Sequence, residues 1–242
     1  MKHLNHLQRI LMTGLFLLFS SATAAEHLTY EGESGPGKGK HIVFLASDHE
    51  YKSEEVCPAL ARILAKNFGF KCTVLFGLNE KGEIKNGSSH IPGMKALETA
   101  DLLFLGLRFQ DWNDEQMGYF ISYLDQAKPI IGIRTSTHSF NLKNKASKYA
   151  KFDWQYKSDD KWNKGFGTAV LGIGWEGHHG QNHRSTTRID VVPVKKGHPI
   201  LKGVDKPWAY CGGYGANPPA DCNILAMAQP LKGMTYDSAA NE

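Results

Sequence analysis

The chain has 242 residues, 41% hydrophobic and 21% charged, with 25 glycines, 10 prolines and four cysteines. That is globular composition, and it excludes a disordered, collagenous or disulfide-dense scaffold. A formal net charge of +4 with no block of five like charges gives no support to nucleic acid or a charged membrane surface as partner.

Residues 1–25 have the layout of a cleaved signal peptide. Lys2 and Arg9 supply the positive region, Ile10 to Phe19 the apolar stretch, and Ser21-Ala22-Thr23-Ala24-Ala25 the small residues of a cleavage site. The apolar run is too short to span a bilayer core of roughly 30 Å as a helix, so no stable membrane anchor is expected. Without it the chain keeps 26 basic and 24 acidic residues, a net of +2. The expected location is periplasmic or secreted.

Residues 26–40, polar and glycine-rich, read as a linker. His41 to Ala46 is then a continuous apolar run, as in a strand buried on both faces. Ser53, Glu54 and Glu55 start a helix with Leu60, Ile63, Leu64 and Phe68 at helical spacing, and Gly69 stops it. Phe70 to Phe76 is a second strand, and Ile91 to Ala100 a short helix feeding a third strand, Leu102 to Leu107. Asp111 to Asn113 caps a helix carrying Met117, Phe120, Ile121 and Leu124, and Pro129 opens a fourth strand, Ile130 to Ile133.

This alternation predicts a single α/β domain over 41–242 with a doubly wound, mostly parallel sheet. Beyond it, 141–165 reads as a long aromatic loop over the site (Phe152, Trp154, Tyr156, Trp162) and Phe166 to Leu171 as a short helix. Arg188 to Val194 and Ile224 to Ala228 read as strands. Cys57 and Cys72 sit in apolar patterns as buried thiols, while Cys211 and Cys222 flank a Gly/Pro loop that permits either a disulfide or two free thiols.

Ligands of open α/β sheets bind beyond the carboxyl ends of the strands. Those ends carry Asp48, His49 and Glu50 after the first strand, Arg108 after the third, and Arg134 and His138 after the fourth. Loop residues are often polar only because they are wet, but five or six such groups on one edge favour a site. Gly132-Ile133-Arg134-Thr135-Ser136 has the outline of a nucleophile elbow, with small residues two before and two after the central position. Its central residue is an arginine, which stays protonated and is no nucleophile. It either clamps a carboxylate, enediolate or other oxyanion, or pairs with Asp48 or Glu50.

A second constellation runs from Trp175 to His183 and contains His178, His179 and His183. Imidazoles there suit acid/base catalysis or a divalent transition metal such as zinc, and a plain surface loop is the competing reading. Adjacent histidines rarely face one ion together. His198 reads as a turn residue.

Four segments, HIVFLASDHEYKSEE (41–55), PIIGIRTSTHSF (129–140), FGTAVLGIGWEGHHG (166–180) and GHPILKG (197–203), together resemble the ThuA-like family. This is the trehalose-utilisation branch of the class I glutamine-amidotransferase-like superfamily. The resemblance covers about residues 40–235. It implies a flavodoxin-like sheet with an elbow after a central strand, and a role in catabolism of trehalose-type or keto-disaccharide sugars. The superfamily's amidotransferases carry Cys or Ser on the elbow. Arg134 stands there with no Cys nearby, so glutaminase activity is not expected. The chain ends where such domains usually add a closing strand and helix, so a shortened domain is expected.

The reading that follows is an exported sugar-processing hydrolase, lyase or isomerase. His178, His179, Asp48, His49, Glu50 and His138 are its acid/base candidates, and Arg134, Arg108, Trp175 and Trp154 its substrate contacts. The alternative is a non-catalytic carbohydrate-binding module whose aromatic loop stacks on sugar faces.

Overall fold

The computed structural model describes residues 27–181 and 184–241. The expected signal peptide and His183 lie outside them. Among the described residues no helix is long and apolar enough to cross a membrane.

The strands run β1 (His27–Tyr30), β2 (His41–Ser47), β3 (Lys71–Phe76), β4 (Leu102–Leu107) and β5 (Ile130–Gly132). They form one sheet in the order β1-β3-β2-β4-β5. β2, β3, β4 and β5 are parallel, and β1 is antiparallel to β3. The fold is therefore mixed α/β with a mostly parallel five-stranded sheet, compatible with a flavodoxin-like fold. The chain leaves β2 toward β3 and returns to β4 on the other side, so the strand order reverses between the carboxyl ends of β2 and β4. Crevices form at such points.

β2 explains the apolar run at 41–46, because all seven of its residues are buried. Val43 and Leu45 pack with Leu103, Leu105, Met117 and Phe120 on one side. Ile42, Phe44 and Ala46 pack with Cys57, Ala61 and Ala65 on the other. Each fully buried Leu or Phe contributes on the order of 1.5–3 kcal/mol.

Helix α1 (Ser53–Phe68) ends where expected, with Gly69 at φ 81°, its N–H on the Ala65 carbonyl and the Phe70 N–H on the Leu64 carbonyl. Its buried face differs from the expected one. Ser53, Cys57, Ala61 and Ala65 face the sheet, whereas Ile63 and Phe68 are exposed. Small residues let the helix axis come close to the strands, and the larger side chains flank the contact. The helix starts at Ser53 as expected, and the Ser53 hydroxyl accepts from the Asp48 N–H at 2.8 Å.

The stretch read as a linker contributes β1, because backbone pairing with β3 needs no apolar pattern. The helix expected at 91–100 is a 3-10 turn, Met94–Thr99. Helix α2 (Asp114–Asp125) is capped by Asn113, whose side chain accepts from the Gln116 N–H. Its Tyr123 is fully buried and donates to the Pro129 carbonyl at 2.7 Å, which fixes the start of β5. β5 is one residue shorter than expected and is an edge strand with Ile131 exposed.

After β5 the chain is irregular but anchored. The buried Asp153 carboxylate accepts from the Leu142 N–H and Lys145 Nζ, and its other oxygen from the Gln155 N–H. Helix α3 (Gly165–Leu171) follows. β6 (His178–His179) pairs with β9 (Gly213–Tyr214), and β7 (Thr187–Val191), β8 (Trp208–Ala209) and β10 (Ala226–Pro230) form a small sheet in the order β10-β7-β8. The strand expected over 188–194 turns into a 3-10 turn at Pro193, and that expected over 224–228 lies two residues later. All four cysteines are free thiols. Burial holds Cys57 and Cys72 protonated, at about 12 and about 11.

Gly167 lets α3 close on the turn after β5. A Cβ there would fall against the Thr137 carbonyl oxygen, inside van der Waals contact. Alanine is favoured over glycine in a helix by ~0.8–1 kcal/mol, but backbone cannot yield to this clash. Gly167→Ala should therefore lower stability by about 1–3 kcal/mol in denaturant melts, and a stabilised variant would refute this packing.

Candidate functional site

The site begins at the end of β2. Asp48 is 2% exposed, and its Oδ1 accepts from the backbone N–H groups of Glu50 (2.6 Å) and Tyr51 (3.1 Å). Its Oδ2 accepts from the Thr135 hydroxyl. The carboxylate thus bends the chain after β2 and ties it to the chain after β5. Gln110, fully buried, does the same for β4 by donating to the Ser47 and Arg108 carbonyls and accepting from Trp112 Nε1.

On this base two arginines stand apart. Arg108 pairs with Glu50 at 3.2 Å, approaches His49 Nε2 at 2.7 Å and lies 4.6 Å over the Phe109 ring. Arg134 occupies the elbow with φ 44°, a left-handed conformation that costs about 1–3 kcal/mol for a residue with a Cβ. Its NH1 donates to the Gly212 carbonyl at 2.6 Å and its NH2 to the Tyr51 hydroxyl at 2.9 Å. Its guanidinium lies between two aromatic faces, 3.9 Å from the Tyr214 centroid and 4.8 Å from that of Tyr51. Burial opposes this charge, yet the Tyr51 bond and the surrounding groups raise the arginine above its usual value. The expected pairing with Asp48 or Glu50 is not the arrangement found. Asp48 holds Thr135, and Glu50 holds Arg108.

Between the arginines runs an aromatic belt. Phe109, at φ 51°, contacts His138 (5.1 Å) and Trp154 (5.5 Å). His138 contacts Trp175 (4.9 Å), which contacts Trp154 (5.3 Å) and His178 (5.6 Å). His178 meets Tyr214 at 5.1 Å, and Tyr214 returns the path to Arg134. His138 is 1% exposed, and burial, reinforced by Arg108, pushes it down to about 3. It is therefore a neutral ring in the wall. His178, by contrast, is exposed at the rim.

The structure thus brings Asp48, His49, Glu50, Arg108, Arg134, His138, Trp154, Trp175 and His178 to one edge. His179 shares the two-residue strand β6 with His178. Successive strand side chains point to opposite faces, so His179 turns away. Among the described residues no group of three His, Cys, Asp or Glu converges as a metal would need.

Tyr51, Phe109 and Tyr214 complete the belt and were not singled out from sequence. The glycines flanking Tyr214 were the available signal. Sequence proximity also misled about sulfur. Cys211, 77 residues beyond Arg134 and 160 beyond Tyr51, comes within electrostatic range of both. Burial raises its thiol, with Arg134 partly offsetting this, so it rests protonated rather than as a thiolate nucleophile.

Beside the belt opens a cleft of about 690 Å³ lined by Trp154, Tyr156, Ser158, Asn163, Lys164 and Trp175, among others. Lys164 pairs with Glu176. Of the five buried side-chain polar atoms without a hydrogen-bond partner among the described residues, four lie in this region: Arg108 Nε, Arg134 Nε, Trp154 Nε1 and Trp175 Nε1. Every one is a donor. Each costs about 1–3 kcal/mol while unmatched.

No protein-family model and no curated protein matches the chain. A solved structure of a ThuA-like protein from Bacteroides uniformis aligns over 81% of this chain and 71% of that one, at 13% identity and a TM-score of 0.49.

Burial of His138 makes the stability of the fold depend on pH. A histidine with a depressed folded value binds fewer protons folded than unfolded, so stability is complete above about 6.5 and declines as pH falls toward about 3. The slope in that window should approach ~1.4 kcal/mol per pH unit. His138→Phe should flatten it in melts recorded from pH 7 to 4, and an unchanged slope would locate the titration elsewhere.

Proposed function

We propose that the chain is an exported ThuA-like protein acting in carbohydrate catabolism, on trehalose-type or keto-disaccharide sugars, without glutaminase activity. The observation that carries this is the belt itself, in which indole and phenol rings border a cleft and two of the lining residues, Trp154 and Trp175, hold unmatched indole donors. Aromatic faces stack on the C–H faces of a pyranose ring, and donors meet its oxygens. The doubly wound arrangement of the superfamily accords with the strand order, and the elbow with the strained Arg134.

In the catalytic reading, His178 at the rim exchanges a proton with the sugar. Glu50 and His49 set the charge and position of Arg108, and Arg134 steadies negative charge that develops on the substrate. Asp48 acts through the scaffold by holding the elbow. No part of this scheme uses a nucleophile on the elbow. A metal held by His178, His179 and His183 is a separate proposal, for which elemental analysis of the purified protein is the direct test.

The cleft between Trp154, Tyr156 and Trp175 favours a second reading, a binding module without turnover. His178→Ala separates the two. In an enzyme it should lower turnover of disaccharides or their keto forms by about 10²- to 10⁴-fold while sugar binding persists. Binding by the parent protein with no turnover of any such sugar would establish the module instead. Trp154→Ala should weaken binding in both readings.

Export has its own check. Mature protein collected outside the cytoplasm should begin at Ala25 or Glu26. Material that begins at Met1 and stays with membranes would overturn that assignment.

A further inference from the structure

We infer that the ligand of this site carries a carboxylate, so that the sugar it takes is an acidic one, a uronic or aldonic acid unit seated against Arg134. The inference rests on the carbohydrate reading above and narrows it.

The charges of the site are unevenly matched. Glu50 is committed to Arg108, Glu176 to Lys164, and Asp48 to Thr135 and two backbone N–H groups. Among the described residues, Arg134 alone of these cations has only neutral partners: a carbonyl, a phenol hydroxyl and two tyrosine faces. A guanidinium has five N–H donors, and two are used here. Nε is among the donors left over, and it is buried with no acceptor. Nε–H with a neighbouring terminal N–H is the edge that receives a carboxylate by two parallel bonds.

The rest of the surroundings agree. The other unmatched donors, Arg108 Nε, Trp154 Nε1 and Trp175 Nε1, add no acceptor that would repel an anion. Of the nearby titratable groups His138 and Cys211 are neutral, and the Glu50 carboxylate, which acts on His138, Cys211 and Tyr214, is paired with Arg108. A neutral sugar would use the aromatic faces equally well but leave the Arg134 charge uncompensated. Hydroxyl groups could meet the orphaned donors, whereas only an anion also balances the cation.

The test compares sugars that differ in one group. D-glucuronate, D-glucose and trehalose are titrated into the mature protein at fixed ionic strength, followed by calorimetry and tryptophan fluorescence. Glucuronate should bind at least tenfold tighter than glucose. Arg134→Gln should bring it to the glucose level, and Arg134→Lys should shrink the preference without reversing it, because the charge remains and the fork is lost. Trp154→Ala should weaken all ligands together. If Arg134→Gln fails to fold, the Lys variant decides alone.

Equal binding of glucose and glucuronate would overturn the inference and leave the carbohydrate reading standing. An undiminished preference in either Arg134 variant would likewise overturn it. Absence of binding by any of the three sugars would overturn both.

Discussion

The site depends on one buried carboxylate. Asp48 leaves the end of a strand that has no exposed residue, and it is itself almost fully enclosed. A charge in that position is tolerable only if both oxygens are hydrogen-bonded. Two backbone N–H groups and the Thr135 hydroxyl supply that engagement. The demand is mutual. The amides of Glu50 and Tyr51 fold back over the carboxylate, which sets the direction of both side chains. The Thr135 bond draws in the residue next to Arg134. One desolvated group therefore fixes where Glu50, Tyr51 and the elbow stand relative to each other. Gln110 gives β4 a neutral counterpart of the same device.

Above that base the two arginines are handled in different ways. Arg108 is neutralised by Glu50 and positioned by His49, so its charge is spent locally. Arg134 is held by geometry rather than by an opposite charge, clasped between two tyrosine rings and bound to a carbonyl. A cation over an aromatic face gains about 0.5–2 kcal/mol, less than a desolvated ion pair can supply. The residue thus keeps an outward electrostatic demand while losing conformational freedom. Strain at φ 44° is consistent with a side chain placed for a ligand rather than for stability.

Much of this was legible in the sequence where the chemistry is local. The apolar run over 41–46, too short for a typical helix, reads as a strand covered on both sides, and Gly69 after a helical pattern is a stop with a mechanism. The strand-end rule therefore reached Asp48, Arg108, Arg134 and His138 correctly as neighbours. It did not reach the orientation of α1, because the pattern weighs large apolar residues while packing distance selects small ones. It did not identify β1, whose pairing uses backbone groups that every sequence has. Tyr214 and Cys211 arrive from a glycine-rich loop, and no periodicity reports which strand end such a loop will cover. Adjacent histidines are not expected to face one ion together, and the alternation of the two-residue strand β6 separates the directions of His178 and His179.

That loop has a consequence of another kind. The wall holding Tyr214 joins the rest through few bonds: a two-residue ladder, the Arg134 bond to Gly212 (78 residues apart in sequence), the Thr187 hydroxyl on the Cys211 carbonyl and the Gly215 N–H on the Gly177 carbonyl. The sheet beneath is secured by many buried side chains on both faces. Such unequal anchoring makes the two regions separate cooperative units, with opening free energies that need not be equal. Amides in the 210–215 segment would then exchange with solvent through a local opening while those of β2 wait for global unfolding. Access to the elbow is in that sense a property of the wall's own equilibrium, set apart from the stability of the domain that carries it.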